Sequence, residues 1–204
     1  MSVYNTDYYL VKKAIDSVLN QDYQSFELIV LDDGSNEYLS TKIQHYCQLY
    51  QHKIIYTRHE NCGQSNTINI GVRISHGKYI AIIDSDDEYK TNHLSACLQE
   101  MDSFDLVSSV TETIVKCEED YFVPDKDNYK KKIHVDDCIL FATLFGKRAV
   151  FLSLRFKDIY AADADFYQLA SKIYRVKKLN LRTYIYNRSN SNSISATLKK
   201  SQLT

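Results

Sequence analysis

The chain has 204 residues, 44% of them hydrophobic and 25% charged, with a formal net charge of -1. That length suits one globular domain. The balanced charge gives no basic footprint for nucleic acid, and no apolar run reaches the length of a membrane span. Five cysteines, Cys47, Cys62, Cys97, Cys117 and Cys138, stand far apart with no C-x-x-C pair. This argues against a zinc site. With no leader pattern at the N-terminus, it predicts reduced thiols and a cytoplasmic setting.

From residue 7 the pattern is helical. Leu10, Ala14, Ile15, Val18 and Leu19 share a face, and Asp7 stands where an N-cap belongs. Residues 26–31 read as a buried strand ending at Asp32-Asp33-Gly34-Ser35. A helix with Leu39, Ile43, Tyr46 or Cys47, and Tyr50 on its apolar face follows, then a short strand at 53–57. Asn61-Cys62-Gly63 is a turn, residues 64–75 a helix, and Gly77 its stop. Residues 78–83 form the next strand. Thr91 is placed to cap a helix carrying Leu94, Cys97, Leu98 and Met101, and 104–110 is a further strand. Residues 111–132 read as a loop-rich excursion over the sheet rim and 133–150 as short strands. Residues 163–174 form a helix burying Phe166, Leu169, Ala170 and Ile173, and 181–186 a last strand before a polar tail.

The stretch after residue 83 carries the strongest chemical signal. Asp84, Asp86 and Asp87 crowd into four positions at a strand end. Two unit charges ~4 Å apart repel by roughly 4 kcal/mol at an effective dielectric of 20, so a rigid cluster needs a cation. Hard oxygen ligands suit Mg²⁺ or Mn²⁺, which commonly share their shell with substrate phosphates. The competing reading is a solvated acidic turn. Strand-helix alternation implies a mostly parallel sheet covered on both faces, with ligands bound outside the carboxyl ends of its strands. Parallel strands would put Asp32, Asp33, Asp84, Asp86 and Asp87 on one rim.

Several ordered motifs resemble glycosyltransferase family 2, the inverting nucleotide-sugar transferases. Val3-Tyr4-Asn5 is similar to the end of that family's first strand, and residues 14–21 resemble its first helix. Glu27 to Ser35 resembles the donor-binding strand and turn, and Asn61 to Gly71 the turn and helix that follow. Gly77 to Asp87 looks like the metal-binding strand. Asp163-Ala164-Asp165-Phe166 fits the catalytic Asp-x-x-Phe, and Tyr186-Asn187-Arg188 with Ser193-Ile194-Ser195 the closing segment.

The resemblance implies an α/β GT-A fold: a Rossmann-like, mostly parallel sheet flanked by helices, with a smaller mixed acceptor-side region. It implies one domain over 1–204, with a nucleotide-sugar half at 1–110 and an acceptor half at 111–204. Asp33 would bond the donor's base, with Ser2 and Tyr4 packed around it and Asn61 beside it. Asp86 and Asp87 would hold Mn²⁺ or Mg²⁺ and the ribose, supported by Asp84. Asp163 would be the general base, and Arg188 would close over the phosphates. The implied donor is UDP- or dTDP-linked, and the acceptor a glycan, lipid-linked or protein hydroxyl. Peripheral contact with the inner membrane face and homodimerisation are compatible with it. With no Trp in the chain, the Gln-x-x-Arg-Trp motif of processive synthases is absent, so a single addition is expected.

The residues leave other readings open. Asp32 and Asp33 could punctuate a turn, Asp163 could cap its own helix, Asn61 could simply form a turn, and Arg188 could be a solvated charge. His59, His93 and His134 show no metal spacing. A nucleotide-binding scaffold without turnover is the second hypothesis. A nucleotidyltransferase is the third, disfavoured because no glycine-rich loop with a basic residue lies near the N-terminus.

Overall fold

The computed structural model describes residues 1–126, 128 and 130–188. The chain opens with β1 (Ser2–Val3), α1 (Tyr8–Leu19), β2 (Leu28–Asp32) and α2 (Glu37–Gln48). It continues through β3 (Ile54–Arg58), α3 (Gln64–Ile74), β4 (Tyr79–Ala81), β5 (Glu88–Tyr89) and α4 (His93–Gln99). The second half holds β6 (Leu106–Ser109), β7 (Glu112–Ile114), β8 (Phe122–Pro124), β9 (Lys132–His134) and β10 (Leu144–Lys147). It ends with α5 (Arg148–Ser153), α6 (Ala162–Ala170), β11 (Val176–Leu179) and β12 (Tyr184–Asn187).

Every residue of β2 is buried. An apolar run of that kind belongs in a sheet covered on both sides. It pairs in parallel with β1 (Ser2 opposite Leu31) and with β3 (Ile29 opposite Ile55). A second sheet runs in the order β11-β6-β10-β4, with β10 antiparallel to both neighbours. A parallel bridge between Ser2 and Asp84 joins the two. Chain direction is therefore shared by β1, β2 and the segment leaving β4, and their carboxyl ends form one rim.

Two apolar clusters cover the two sides. Val11, Ile15, Ile43 and Leu94, from α1, α2 and α4, pack with Leu28 and Val30. Ile68, Val72, Phe151 and Phe166, from α3, α5 and α6, pack with Leu106 and Leu144. The α/β architecture expected from the sequence is present, in a mixed rather than uniformly parallel form. Among the described residues no helix is long and apolar enough to cross a membrane.

Several local expectations need correction. Asp7 does cap α1, accepting the Tyr9 N–H at 2.9 Å, but Val11 replaces Leu10 on the buried face. Gly77 does not stop α3. The helix ends at Ser75, whose backbone turns extended and whose hydroxyl donates to the Val72 carbonyl. Thr91 does not cap α4; Asn92 occupies that place without a side-chain bond. Residues 111–132 are not a bare loop, because β7 adds in parallel to β12, which also pairs with β5. Residues 148–150, the end of the stretch expected to hold short strands, instead begin α5 (Arg148–Ser153). Ile173 lies beyond α6 and is 66% exposed. The Ser193-Ile194-Ser195 segment lies outside the described residues.

Candidate active site

The turn after β2 is built by its own acids. Asp32 is fully buried. It accepts the Ser35 N–H at 2.7 Å, the Tyr56 hydroxyl at 2.8 Å and the Ser40 hydroxyl. Burial alone would raise its pKa, but these donors hold it below the ordinary carboxylate value. Asp33 is 2% exposed. Its carboxylate accepts the backbone N–H groups of Cys62 (2.7 Å) and Gly63 (3.0 Å), and Asn61 donates through Nδ2 at 3.1 Å. This latches the β2 turn onto the Asn61–Gly63 turn. The contact requires glycine at Gly34, where φ is +80° and an added Cβ would lie 2.8 Å from the Asn61 nitrogen.

His59 Nδ1 lies 3.5 Å from Asp33 Oδ1 and 3.8 Å from Cys62 Sγ, a grouping with metal-ligand composition that sequence spacing concealed. Its Nδ1 also sits 2.8 Å from the Glu60 carbonyl, so hydrogen bonding accounts for the ring's position.

The loop after β1 crosses this rim. The Asn5 N–H donates to Ser35 Oγ at 3.0 Å, and Asn5 Oδ1 accepts from the Asn36 backbone and amide. Thr6 and Ser85 share a hydroxyl contact at 2.7 Å. Tyr4, between these anchors, is 54% exposed. Ser2 sits beside Asp84 through the bridge.

The second acidic group is differently supplied. Asp84 accepts one side-chain bond, from Gln64 Nε2 at 2.9 Å. Burial, then the charges of Asp86 and Asp163, push its pKa up to about 7. Among the described residues the Asp86 carboxylate takes only its own backbone N–H, and burial raises its pKa. Asp87 is 1% exposed and is tied into the fold: the Tyr184 hydroxyl donates to Oδ2 and the Asn187 N–H to Oδ1, both at 2.7 Å. The Tyr184 oxygen also accepts the Asp84 N–H at 3.2 Å. Burial and the charges of Asp84 and Asp86 keep Asp87 well above the ordinary value. Among the described residues no lysine, arginine or histidine forms an ion pair with Asp84, Asp86, Asp87 or Asp163. A hard divalent cation suits that uncompensated oxygen set.

Asp163 is not the cap of α6. Ala161, in a left-handed conformation (φ 53°), precedes the helix, and Asp163 lies in its first turn. Its carboxylate accepts the Ala164 N–H at 2.8 Å and the Phe141 N–H at 3.1 Å. Burial nevertheless lifts its pKa to about 6. The helix is anchored behind it by Phe166, whose ring stacks on Phe156 at 4.3 Å and Phe151 at 5.2 Å. Asp163 lies within electrostatic reach of Asp84, so the start of α6 stands near the rim. Arg188 follows β12, its guanidinium 5.6 Å from the Tyr186 ring centroid, and its buried Nη1 has no hydrogen-bond partner among the described residues. Both Arg188 and Asp163 act on the Cys138 thiol.

The structure thus brings Ser2, Asp84, Asp86 and Asp87 together at one rim, with Asp163 within electrostatic reach of Asp84 and both Asp163 and Arg188 within reach of Cys138. Asp33 and Asn61 form the adjoining turn. Sequence reasoning missed Tyr184 and did not single out Gln64. Gln64 sat inside a quoted motif, whereas Tyr184 reaches Asp87 from 97 positions away and left no local signal.

The fold is that of the GT-A glycosyltransferases. A mannosyltransferase of Pyrobaculum calidifontis, solved with GDP-Man and Mn²⁺, superimposes with a TM-score of 0.72 at 16% identity, over 97% of this chain and 58% of that one. The 1–349 portion of Staphylococcus aureus TarS, solved with UDP-GlcNAc, gives a TM-score of 0.71 at 17% identity, over 96% and 59%. The model of glycosyl transferase family 2 matches residues 1–162, and the chain belongs to that family. Glycosyltransferase GlyA of Streptococcus pneumoniae is 28% identical over 90% of this chain, and an uncharacterised glycosyltransferase of Rickettsia typhi 30% identical over 87%. The chain spans 29% of the length of the first and 58% of the second.

Proposed function

We propose that this chain is a catalytic domain that transfers one sugar from a nucleoside-diphosphate sugar to an acceptor hydroxyl, with inversion. The observation that carries the reading is Asp163: a half-buried carboxylate with a raised pKa, within electrostatic reach of an acidic cluster that no basic side chain among the described residues pairs with. A base with a pKa of about 6 is mostly ionised at pH 7 yet more basic than an ordinary carboxylate, which suits proton removal from a hydroxyl. A direct displacement with one base and no covalent intermediate gives inversion.

Asp86, the least engaged carboxylate, would hold a divalent ion, Mn²⁺ or Mg²⁺, with Asp84 and Asp87 beside it. That ion, when bound, neutralises the diphosphate leaving group. Arg188 Nη1 offers an unused donor to the same phosphates. The exposed ring of Tyr4 would stack on the base, with Ser2 beside it. Asp33 and Asn61 would shape the base site by holding its turn, since their polar atoms already bond each other and the backbone. UDP-GlcNAc in TarS and GDP-Man in the mannosyltransferase support a nucleotide-sugar donor, and we favour a UDP- or dTDP-linked one. The acceptor would be a glycan, lipid-linked or protein hydroxyl met on the 111–188 side, at the cytoplasmic face of the membrane or in the cytoplasm.

Asp163→Asn tests this directly. Loss of about 10³-fold in transfer, with Mn²⁺-dependent UDP binding retained in calorimetry, is the expected result. Unchanged turnover removes Asp163 from the base role. No metal-dependent nucleotide binding by the unmutated chain would leave a scaffold instead.

A further inference from the structure

Cysteine spacing alone speaks against zinc, because no two cysteines form a close pair. The fold assembles a different set. His59 and Cys62 stand three positions apart between β3 and α3, and Asp33 reaches them from the end of β2. One ring nitrogen of His59, Cys62 Sγ and one Asp33 carboxylate oxygen all lie within 4.8 Å of one another. His59 Nδ1 is 3.5 Å from Asp33 Oδ1 and 3.8 Å from Cys62 Sγ. A tetrahedral zinc ion, with bonds of about 2.3 Å to sulfur and about 2.0–2.1 Å to nitrogen and oxygen, sets sulfur and nitrogen about 3.6 Å apart and nitrogen and oxygen about 3.3 Å apart. Both separations in the fold exceed those values by only about 0.2 Å, within reach of small side-chain rotations.

Each of the three still has coordinating capacity. Asp33 Oδ1 accepts the Cys62 N–H, while Oδ2 takes the Gly63 N–H and the Asn61 amide. A carboxylate oxygen has two lone pairs, so Oδ1 keeps one. Cys62 Sγ meets His59 at 3.8 Å and Thr67 Oγ1 at 3.6 Å, both weak contacts for a thiol. The His59 ring is held from both sides, with the Glu60 carbonyl 2.8 Å from Nδ1 and Thr67 Oγ1 3.4 Å from Nε2. Without an ion, Nδ1–H donates to Glu60. With an ion on Nδ1, the ring proton sits on Nε2 and donates to Thr67, the outer partnership that orients metal-bound imidazoles. The Asp33 side chain is 3% exposed and that of His59 21%, so an ion enters past the imidazole.

We propose that Asp33, His59 and Cys62 form a zinc site, with water as the fourth ligand. One thiolate, one imidazole and one carboxylate suit Zn²⁺, whereas the all-oxygen set at Asp84, Asp86 and Asp87 suits Mg²⁺ or Mn²⁺. On binding, the Zn–S bond replaces the Cys62 S–H bond and that proton goes to solvent. Nothing is oxidised or reduced. The carboxylate and the thiolate together balance the ion's two charges. The bound ion ties the β2 turn to the segment before α3 through side chains, where Asp33 now holds it by hydrogen bonds alone. The site needs neither an ion at the acidic rim nor turnover by Asp163, so it is tested apart from the sugar-transfer reading.

The test titrates the chelator-stripped chain with Zn²⁺ against a chromophoric chelator, with Mn²⁺ present in about 1,000-fold excess. One Zn²⁺ per chain should stay bound. Co²⁺ in its place should show thiolate-to-metal charge-transfer absorption. A lost outer partner costs metal affinity about 10–100-fold, so losing a ligand in Cys62→Ala or His59→Ala should raise the Zn²⁺ Kd by about 100-fold or more. Cys62→Ala should also lose the Co²⁺ absorption. X-ray absorption at the zinc edge of the unmutated chain needs no variant to fold. It should find one sulfur at about 2.3 Å beside nitrogen and oxygen at about 2.0–2.1 Å. A shell without sulfur, or displacement of Zn²⁺ by Mn²⁺, puts the ion at the acidic rim and overturns the proposal. So does a shell of several sulfurs, and so does Co²⁺ absorption that survives Cys62→Ala, which would assign it to another cysteine.

Discussion

Asp32 and Asp33 end β2, and Asp84 and Asp86 follow β4 on the same rim, separated only by β1. In sequence the two pairs look alike, as carboxylates that halt an apolar run. In the fold they are supplied in opposite ways. Asp32 and Asp33 each receive three protein donors, and those bonds hold two turns together. Asp84 receives one side-chain donor and Asp86 none beyond its own backbone, while burial pushes both upward. Donor supply, rather than acidity or position after a strand, separates a carboxylate that builds the site from one left free for a ligand.

Removing an acid from the supplied pair should therefore damage the fold most. Asp32→Ala leaves the Ser35 N–H and the Ser40 and Tyr56 hydroxyls without their acceptor in a buried place. We expect a loss of about 3–5 kcal/mol in urea denaturation. A loss under about 1 kcal/mol would mean water replaces the carboxylate, and the contrast between the pairs would fail.

Removing an acid whose pKa burial raises despite its backbone donors should have the opposite sign. Asp163 holds its proton to about pH 6 in the fold, against an ordinary value of 3.8. The native state therefore binds more protons than the unfolded state between those values, and stability falls as pH rises through that window. Asp163→Asn has no such slope. It should match the parent below about pH 4 and exceed it by up to about 3 kcal/mol at pH 7, while losing transfer. Equal denaturation midpoints at pH 4 and pH 7 would show that Asp163 ionises without cost.

Much of the first half was legible because its signals are local. The apolar run at 26–31 announced β2, and Asp7 announced the start of α1, a cap needing only its own sequence neighbourhood. Gly77 and Thr91 misled for the same reason. Both have the residue type of a helix boundary, yet α3 ends at Ser75 and α4 begins after Asn92. The second half was opaque because its order is long-range. β7 is three residues long and finds its partner in β12, more than 70 positions on. Asp87 is anchored from Tyr184 and Asn187 at similar range. The motifs singled out Asp84, Asp86 and Asp163; the donors that distinguish Asp87 from Asp86 could come only from the fold.

That distinction makes the smallest effect on stability the sharpest probe. Asp86 bonds only to its own backbone, so Asp86→Ala should change metal-free stability by less than about 1 kcal/mol, in the stabilising direction because a buried charge is removed. Asp87→Ala removes the acceptor for Tyr184 and Asn187 and should cost about 2–3 kcal/mol. With Mn²⁺ and UDP present the ranking should change its basis. A ligand at 100 times its Kd adds about 2.7 kcal/mol to the native state, and Asp86→Ala should lose that increment. Thermal melts of the parent and the two variants, with and without Mn²⁺-UDP, separate the roles. If Asp86→Ala still gains the full increment, the free carboxylate is not the one that holds the ion, and the division of labour along this rim must be redrawn.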